Sequence, residues 1–414
     1  MKRELTYMSK IYGQFQELLP FKNEKAVLLF SGGLDSFYTA YELKKYDMDI
    51  HAVLIDVGQS ISDEIMELSQ KLELKLHIID ASEDLCNSYI SHGIMAKALY
   101  NNHFPISSSY TRPLLAKLAC EYAKEIGGSL IVHNSTPYQN SAMRFNLSIM
   151  ANYPNVNIFC PAIGEYTTRA DKAMILKKEL GIDFPTSSKY SIDENLWCRV
   201  IENDTLEYTE LEIRDNVFDW TNKIEEKETL YLDITFKNGI PSKINNDKRS
   251  LKEIVILLND LLSDYKIGRY AGLEDSCFGV KNPEIREAPA AMLIHQSHLL
   301  LEEMVLTRDE LRVKSYIDRE WTNLVVGGGW FSPLKSCLDE SIRAFNKSLN
   351  GTIKWKITKG NVFCIAKTAS NSLSFSNFGN FIDEFKPYSI NSFFQQKARE
   401  LRIGIGKEGE EYYD

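Results

Sequence analysis

The sequence lacks the features that mark several common classes of protein. Its apolar runs are too short to span a bilayer, and residues 1–24 have no continuous apolar stretch like that of a signal peptide. The seven cysteines are scattered and contain no CxxC pair, so neither a zinc site nor a disulfide framework is predicted. We therefore expect a cytoplasmic protein with reduced cysteines, no membrane partner and no dedicated metal site.

An excess of basic residues is also missing. The chain has 48 lysines and arginines against 57 aspartates and glutamates, which gives a formal net charge of −9. Because a nucleic-acid-binding protein usually presents a basic face, we expect no nucleic-acid partner. The 414 residues, of which 44% are hydrophobic and 25% charged, have the composition of a globular protein. This length predicts two domains with room for a terminal arm.

The first part of the chain alternates between strand-like and helix-like segments. Short apolar, β-rich runs predict strands at 26–30, 50–55, 75–79 and 129–133. The segments between them have helical apolar spacing at 37–45, 62–74 and 114–126. Strands that alternate with helices predict an α/β fold, with a doubly wound parallel sheet. We assign residues 25–185 to this nucleotide-binding domain and residues 1–24 to an N-terminal extension.

The second part of the chain has a different pattern. Strand and turn signals predict hairpins around Lys237–Pro241 and around Lys359-Gly360. Amphipathic helices are predicted at 251–262 and 290–304. We therefore expect an α+β domain over residues 186–375. The polar, helix-prone residues 376–414 are expected to form a surface tail used as an oligomerisation arm.

The segment Ser31-Gly32-Gly33-Leu34-Asp35-Ser36 lies between a predicted strand and a predicted helix. Glycines allow a sharp turn and a close approach to an anion, while the helix N-terminus supplies N–H groups and partial positive charge. The alternative is an ordinary strand–helix turn capped by Asp35 or Ser36. The complete string after an apolar strand favours a phosphate loop. It lacks the Gly-Lys-Ser/Thr ending of a Walker loop, which argues against a kinase.

Several longer strings accompany this loop. They are DVGQ at 56–59, TRPLLAK at 111–117, YSIDENLW at 190–197 and WFSP at 330–333. Together with the loop, which resembles that of the ATP-pyrophosphatase superfamily, they resemble the argininosuccinate synthase family over roughly residues 25–375. The resemblance implies a HUP-type nucleotide-binding domain, an α+β synthetase domain, a C-terminal helical arm and a homotetramer.

The resemblance also implies a reaction and a set of site residues. In the family, ATP with Mg²⁺ adenylates the ureido oxygen of citrulline, and the amine of aspartate then displaces AMP, so the partners are small amino-acid-type substrates. The implied catalytic residues are Asp35, Ser36 and Arg112. The implied nucleotide-binding residues are Phe30, Ser31, Gly32, Gly33, Leu34, Asp35, Ser36, Ile55 and Asn134. The implied substrate-binding residues are Phe104, Ser108, Ser109, Arg112, Thr136, Asn140, Ser141, Arg144, Ser191, Val200, Glu274 and Arg286. The structural alternatives are that Arg112 is a surface arginine and that Ser191 caps a turn.

Four of these positions depart from the family pattern. Phe104 and Arg286 stand where the family has tyrosines, Val200 replaces a serine, and Ser141 replaces an acid. These changes remove hydroxyl groups and a negative charge and add a positive charge. We therefore expect a pocket that favours a more anionic or less zwitterionic substrate.

The departures lead us to expect an argininosuccinate synthase-like C–N ligase that adenylates a ureido or carboxyl oxygen and has a diverged substrate pocket. The alternatives are an ordinary family member acting on citrulline and aspartate, and a non-catalytic nucleotide sensor. A sulfur-transferring or RNA-modifying enzyme would need a cysteine pair and a basic appendage, and neither is visible.

Overall fold

The computed structural model describes residues 9–61, 63–184, 190–223, 227–374 and 387–406. Its strands in chain order are β1 Ile11–Tyr12, β2 Lys25–Leu29, β3 Asp49–Asp56, β4 Lys75–Asp80, β5 Leu99–Tyr100, β6 Phe104–Pro105, β7 Leu130–Val132, β8 Asn157–Phe159, β9 Ser191–Asn195, β10 Cys198–Glu202, β11 Leu230–Lys237, β12 Ile240–Ile244, β13 Asp247–Lys248, β14 Arg269–Asp275, β15 Lys281–Glu287, β16 Gly351–Thr358 and β17 Asn361–Ala369.

The α-helices are α1 Leu34–Lys44, α2 Asp63–Lys71, α3 Ser82–Asp84, α4 Ser91–Met95, α5 Ser108–Ile126, α6 Asn140–Asn152, α7 Arg169–Leu180, α8 Leu251–Ser263, α9 Pro289–Val305, α10 Arg308–Val326, α11 Pro333–Asn346 and α12 Pro387–Gly406. A π-helical segment, Leu85–Ile90, connects α3 to α4. No helix in the described ranges is both long and apolar enough to cross a membrane.

The first part of the chain forms a six-stranded sheet in the order β1-β8-β7-β2-β3-β4. All of its strand pairs are parallel, which confirms the predicted α/β fold. β2 lies between β3 and β7, so the segments that follow these three strands meet at one edge of the sheet. Ligands of doubly wound sheets bind at this carboxyl edge.

Two features of this part differ from the sequence prediction. Ile11 pairs with Ile158, so part of the predicted N-terminal extension is an edge strand of the sheet. Helix α5 begins at Ser108, although the prediction placed its start after Pro113. A proline removes only one backbone hydrogen bond near a helix start, and here the helix continues through it.

The second part of the chain contains two antiparallel sheets, with orders β14-β15-β10-β9 and β13-β12-β11-β16-β17. The two predicted hairpins are confirmed as β11–β12 and β16–β17. Their turns contain Gly239 and Gly360 with φ angles of 76° and 70°, which favour glycine. The α+β prediction is therefore confirmed. The exact division near residue 185 and the role of residues 376–414 stay predictions.

The two parts meet where two of the family-like strings come together. The Leu196 amide, in the second part, donates to the Val57 carbonyl at 2.9 Å. Asn259 on α8 donates to the Leu196 carbonyl at 2.7 Å. Gly58 has a φ of 89°, and a Cβ there would lie 2.6 Å from the Leu196 Cβ. This close approach places the four-stranded sheet over the carboxyl edge of the parallel sheet.

Candidate active site

The predicted phosphate loop connects β2 to α1. The N-cap of α1 is Gly33, with no side-chain hydrogen bond to the first turn, so neither Asp35 nor Ser36 caps the helix. The Ser36 hydroxyl instead donates to the Gly33 carbonyl at 2.8 Å. The first N–H groups of a helix have no partner within the helix. Here the Ser36 N–H donates to the Gly33 carbonyl at 3.1 Å, so the N–H groups of Leu34 and Asp35 remain for an anion, as a phosphate loop requires.

Gly32 and Asp35 give the loop its shape and charge. Gly32 has a φ of 75°, and a Cβ there would clash with Ile65. The Asp35 carboxylate accepts a hydrogen bond from the Lys172 ammonium on α7 at 2.7 Å. The Asp35 side chain is nevertheless 47% exposed, so it can reach a ligand. Lys172 was not predicted from the sequence, because it lies far along the chain in a helix without a distinctive motif.

The other predicted nucleotide-binding residues flank this loop. Phe30 and Leu34 are buried side chains, so only their backbone can face a ligand. Ile55 is buried near the end of β3. Asn134 follows β7 and accepts a hydrogen bond from the Thr39 hydroxyl at 2.7 Å, while its side-chain N–H₂ group is buried with no partner among the described residues. A buried donor without a partner fits an acceptor atom of the nucleotide.

Magnesium would have to bind mainly through the phosphates of ATP. The described residues contain no group of three or more His, Cys, Asp or Glu side chains placed to hold a metal ion. Mg²⁺ commonly uses one or two carboxylates plus substrate phosphates instead of a protein cage. The exposed carboxylate of Asp35 in the phosphate loop fits this arrangement.

Arg112 is not an ordinary surface arginine, since its side chain is only 17% exposed. Its two terminal nitrogens donate to Asp193 on β9, and its Nε donates to the Ser141 hydroxyl at 3.3 Å. The guanidinium also lies 5.5 Å from the Phe145 ring centroid. Because the planar fork matches a carboxylate, the pair with Asp193 is rigid. Arg112 thereby connects α5 and α6 to β9.

A second arginine, Arg144 on α6, is 1% exposed. Its nitrogens donate to the Ser108 hydroxyl at 2.7 Å, the Val326 carbonyl at 2.9 Å and the Glu274 carboxylate at 2.8 Å. Burial alone raises the pKa of Glu274. The charges of Arg144 and Arg286 outweigh this effect and hold the pKa below its usual value. Glu274 is therefore ionised and paired.

The remaining predicted substrate residues lie at the starts of α5, α6 and β9 and in the segment between β7 and α6. Asn140 donates to the Asp275 carbonyl at 2.7 Å and accepts from the Cys277 amide at 2.9 Å, which ties the β14–β15 turn to α6. Thr136 donates to Gln139 at 3.0 Å. Ser109 is buried, whereas Ser191 is exposed and begins β9, so it lies in a strand and does not cap a turn.

A carboxyl pair on the four-stranded antiparallel sheet was not predicted. Glu202 on β10 lies directly opposite Glu284 on β15. Burial, reinforced by the negative charge of Glu284, raises the pKa of Glu202 to about 9, so this carboxyl is protonated at neutral pH. Strand alternation could have found both residues, since Glu202 follows Val200 by two positions and Glu284 precedes Arg286 by two.

The prediction that Arg286 adds a positive charge to the substrate pocket is wrong. Its Nε donates to Glu284 at 3.0 Å, its Nη2 donates to the same oxygen, and its Nη1 donates to the Pro105 carbonyl at 2.7 Å. The residue is 3% exposed. The charge is neutralised by Glu284 because the two side chains lie on the same face of one strand. Arg286 and Glu284 together therefore contribute no net charge at this position.

Two family models match nearly the whole chain. The arginosuccinate synthase N-terminal HUP domain matches residues 25–183, and the arginosuccinate synthase C-terminal domain matches residues 190–403. The chain belongs to the argininosuccinate synthase family. It is accordingly an ATP-dependent ligase that forms AMP and pyrophosphate and makes a C–N bond.

Individual members of the family are similar over most of their length. The argininosuccinate synthase of Pyrococcus furiosus is 36% identical over 357 residues, which are 84% of this chain and 86% of the relative. That of Sulfurisphaera tokodaii is 38% identical over 356 residues, 85% of this chain and 90% of the relative. Among solved structures, an NH3-dependent NAD synthetase from Campylobacter jejuni matches 40% of this chain and 69% of its own, with 18% identity and a TM-score of 0.29.

Proposed function

We propose that this ligase uses ATP and Mg²⁺ to adenylate a ureido or carboxyl oxygen of a small polar acceptor, and then couples the acceptor to an amine. The phosphate loop carries this proposal. Its glycine backbone, the open first turn of α1 and the exposed Asp35 carboxylate form an anion site at the carboxyl edge of the parallel sheet. Arg112, which is paired with Asp193, and Arg144, which is paired with Glu274, would face the acceptor.

The reaction needs positioning and charge stabilisation, and it needs no protein nucleophile. The acceptor oxygen attacks the α-phosphorus of ATP, and the bond from that phosphorus to pyrophosphate breaks. The amine then attacks the activated carbon, and the carbon–oxygen bond to AMP breaks. Mg²⁺, when bound with ATP, would supply positive charge to the phosphate oxygens. The loop N–H groups stabilise the same oxygens, while Arg112 and Arg144 hold the pocket in one geometry.

An ordinary family member acting on citrulline and aspartate is the second candidate. The relatives at 36% and 38% identity are named argininosuccinate synthase. The positions that the resemblance assigns to the substrates and that match the family are Ser109, Thr136, Asn140, Arg144, Ser191 and Glu274. The departures at Phe104, Ser141, Val200 and Arg286 favour a diverged pocket. Both candidates use the same ATP chemistry and differ in the acceptor, the amine or both.

A homotetramer is part of the proposal. Helix α12 exposes Ile390, Phe393 and Phe394, with fractional exposures of 41%, 56% and 63%. Apolar side chains at this spacing favour burial against another surface, and a second copy of the chain would supply one. Light scattering on the purified protein tests this assembly. A monomer at micromolar concentration would contradict it.

The reaction is tested by pyrophosphate release from ATP and Mg²⁺. Acceptors and amines are supplied singly and in pairs, with citrulline plus aspartate as one pair. Release that requires an acceptor and an amine together supports the ligase. Brisk release with citrulline plus aspartate favours the ordinary family activity. Binding of ATP without release in any combination would support a nucleotide sensor and contradict the proposal.

A further inference from the structure

Three of the four departures from the family pattern contact one another. Val200 and Arg286 are direct partners across β10 and β15. The Arg286 guanidinium lies 4.3 Å from the centroid of the Phe104 ring. The family pattern places two tyrosines and a serine at these positions. This chain therefore replaces three hydroxyl groups with one continuous surface made by a phenyl ring, an isopropyl group and a guanidinium.

The Arg286 guanidinium in this surface already forms its hydrogen bonds within the protein. All three of its nitrogens donate to Glu284 or to the Pro105 carbonyl, and Arg286 and Glu284 are each 3% exposed. A substrate group could use Arg286 only by displacing one of these buried partners. Since breaking a buried ion pair leaves an uncompensated charge, such displacement is unfavourable.

The Phe104 ring is also fixed in place. It is 2% exposed and packs 5.4 Å from the Tyr100 ring, between centroids. Gly272 on β14 lies under it, and a Cβ at that position would clash with the ring. The Tyr100 ring and the backbone of β14 therefore restrict movement of the Phe104 ring. Phe104, Val200, Arg286 and Glu284 thus form a closed wall, here called the distal wall.

A row of contacts separates this wall from Thr136, which follows β7, the strand next to the one that ends in the phosphate loop. The row begins at Thr136, just beyond the end of β7, where the Thr136 hydroxyl donates to Gln139 at 3.0 Å. Gln139 donates to Glu202 at 2.7 Å. Glu202 faces Glu284 across the strands, and Glu284 binds Arg286. The reacting oxygen of the acceptor must approach the phosphate loop, so the distal wall contacts the other end of the acceptor.

Citrulline carries a zwitterionic head, with an ammonium and a carboxylate, at the end opposite its ureido group. Burying such a head requires free hydrogen-bonding partners, because unpaired buried charges are strongly unfavourable. The distal wall offers none, since its hydroxyls are absent and its two charges neutralise each other. Arg144 and Glu274 are paired with each other as well.

We propose that the acceptor of this ligase lacks the zwitterionic head of citrulline and ends in an apolar or uncharged group against the distal wall. The acceptor is then a simple alkyl ureido compound or amide-like relative of citrulline. This inference rests on the proposed ligase reaction. It keeps the expectation of a less zwitterionic substrate and discards that of a more anionic one, because Arg286 is neutralised.

The test compares four acceptors that differ only in their heads. They are citrulline, its deamino analogue, its decarboxy analogue and N-butylurea, which lacks both charged groups. The readout is the exchange of labelled pyrophosphate into ATP, which reports adenylation of the acceptor without any amine. We expect kcat/KM for N-butylurea to exceed that for citrulline by at least about tenfold, because a site without partners rejects a charged group.

Equal or better exchange with citrulline would overturn the inference and leave the ligase reaction intact. Absence of exchange with every acceptor, together with absence of pyrophosphate release in the presence of amines, would overturn the ligase reaction itself. The two failures are therefore distinguishable in one set of assays.

A variant tests the distal wall directly. The double substitution Arg286→Tyr with Glu284→Gln removes both charges together and restores a hydroxyl, so it leaves no unpaired buried charge. We expect the ratio of kcat/KM for citrulline to that for N-butylurea to rise at least about tenfold. Phe104→Tyr, which adds one hydroxyl, should shift the ratio in the same direction. An unchanged ratio in both folded variants would overturn the inference.

A matched control lies on the same sheet. Leu273 on β14 is 43% exposed, and it alternates with Gly272 and Glu274, so its side chain points to the opposite face. Leu273→Tyr adds a hydroxyl to the sheet without changing the distal wall. We expect this variant to keep the acceptor preference of the unmodified protein. A shift as large as that of the double variant would mean that the preference does not depend on the wall.

Discussion

Arg112 on α5 donates a forked pair of hydrogen bonds to Asp193 on β9, at 3.2 and 2.8 Å. The helix packs on the parallel sheet that carries the phosphate loop, whereas the strand belongs to the antiparallel sheet that carries the distal wall. The fork therefore joins the parallel sheet to the antiparallel sheet, and in the proposed reaction it would hold the nucleotide and the acceptor in one relative geometry. Catalysis by positioning depends on such rigid connections between substrate-binding elements.

The fork predicts a loss of activity when the guanidinium is replaced by an ammonium. Arg112→Lys keeps the charge but cannot make both bonds in one plane. We expect kcat/KM for pyrophosphate release to fall by about tenfold or more, because a charge-assisted contact contributes roughly 1.5–3 kcal/mol. Arg319→Lys, on the exposed face of α10, is the control. Unchanged kinetics in Arg112→Lys would mean that the fork has no role in positioning.

The phosphate loop predicts a specific sensitivity at Gly32. Gly32→Ala forces an alanine to a φ of 75° and brings its methyl group against Ile65. We expect ATP affinity to fall by about tenfold or more, since a left-handed conformation costs roughly 1–2 kcal/mol and the loop must also shift. Isothermal titration with ATP and Mg²⁺ measures this loss.

Gly181→Ala separates loop damage from general backbone strain. Gly181 has a φ of 67° at the end of α7, and a Cβ there meets no atom within 4 Å. This variant therefore carries the same backbone strain without altering the loop. We expect it to lose stability and to retain ATP affinity. Equal ATP affinities in the two variants would contradict the assignment of the loop.

The serine at position 141 leads us to predict a weak affinity for aspartate. Ser141→Asp restores the acid of the family pattern in the first turn of α6, next to Asn140. We expect the dissociation constant of aspartate, measured with a non-hydrolysable ATP analogue present, to fall by about tenfold, because a charge-assisted bond to the ammonium is regained. Ser141→Asn has the same shape without the charge. If the two variants bind aspartate equally, the acid has no such role.

The Glu202 carboxyl predicts a pH dependence of stability. Its pKa is about 9 in the folded protein, against an ordinary value of 4.5. Between pH 4.5 and pH 9, the folded state therefore holds a proton that the unfolded chain has already released. The contribution of this proton to the free energy of unfolding is complete below about pH 4.5 and is lost as the pH rises towards 9. Glu202→Gln has no such proton to lose.

We therefore expect the stability of Glu202→Gln, relative to the unmodified protein, to increase steadily from about pH 5 to about pH 9. The slope for one proton cannot exceed about 1.4 kcal/mol per pH unit. Urea unfolding at several pH values measures it, with the exposed Glu210→Gln as the control. A difference that stays constant over this range would contradict protonation of Glu202.

The sequence predicted those parts of the molecule that depend on local patterns. The phosphate loop, the strands around it and the two hairpins were recognisable because each is specified by consecutive residues, such as Ser31–Ser36 or Lys359-Gly360. The early start of α5 was missed because Pro113 usually marks a helix boundary, and only packing shows that the helix continues. The two-residue strand β1 was missed because its partner Ile158 is remote in the chain.

Site residues could be proposed where a family motif named them, whereas Glu202 and Glu284 were missed because only the sheet register brings them together. Glu202 and Glu284 lie opposite each other on two strands that are separated in the sequence by four other strands, one α-helix and two short 3-10 helices. The same reason explains the error at Arg286, whose charge was counted without its partner Glu284. The effect of a charged residue on a pocket can be predicted only when the groups that surround it are known.

The fate of the acceptor oxygen tests the proposed reaction most directly. The measurement uses a ureido acceptor labelled with oxygen-18 at its carbonyl, unlabelled water, ATP, Mg²⁺ and an amine, with mass spectrometry of the nucleotide products. Adenylation of that oxygen transfers the label to AMP, and pyrophosphate remains unlabelled. Label that stays with the acceptor, or ADP and phosphate as products, would show that this protein does not activate its substrate through AMP.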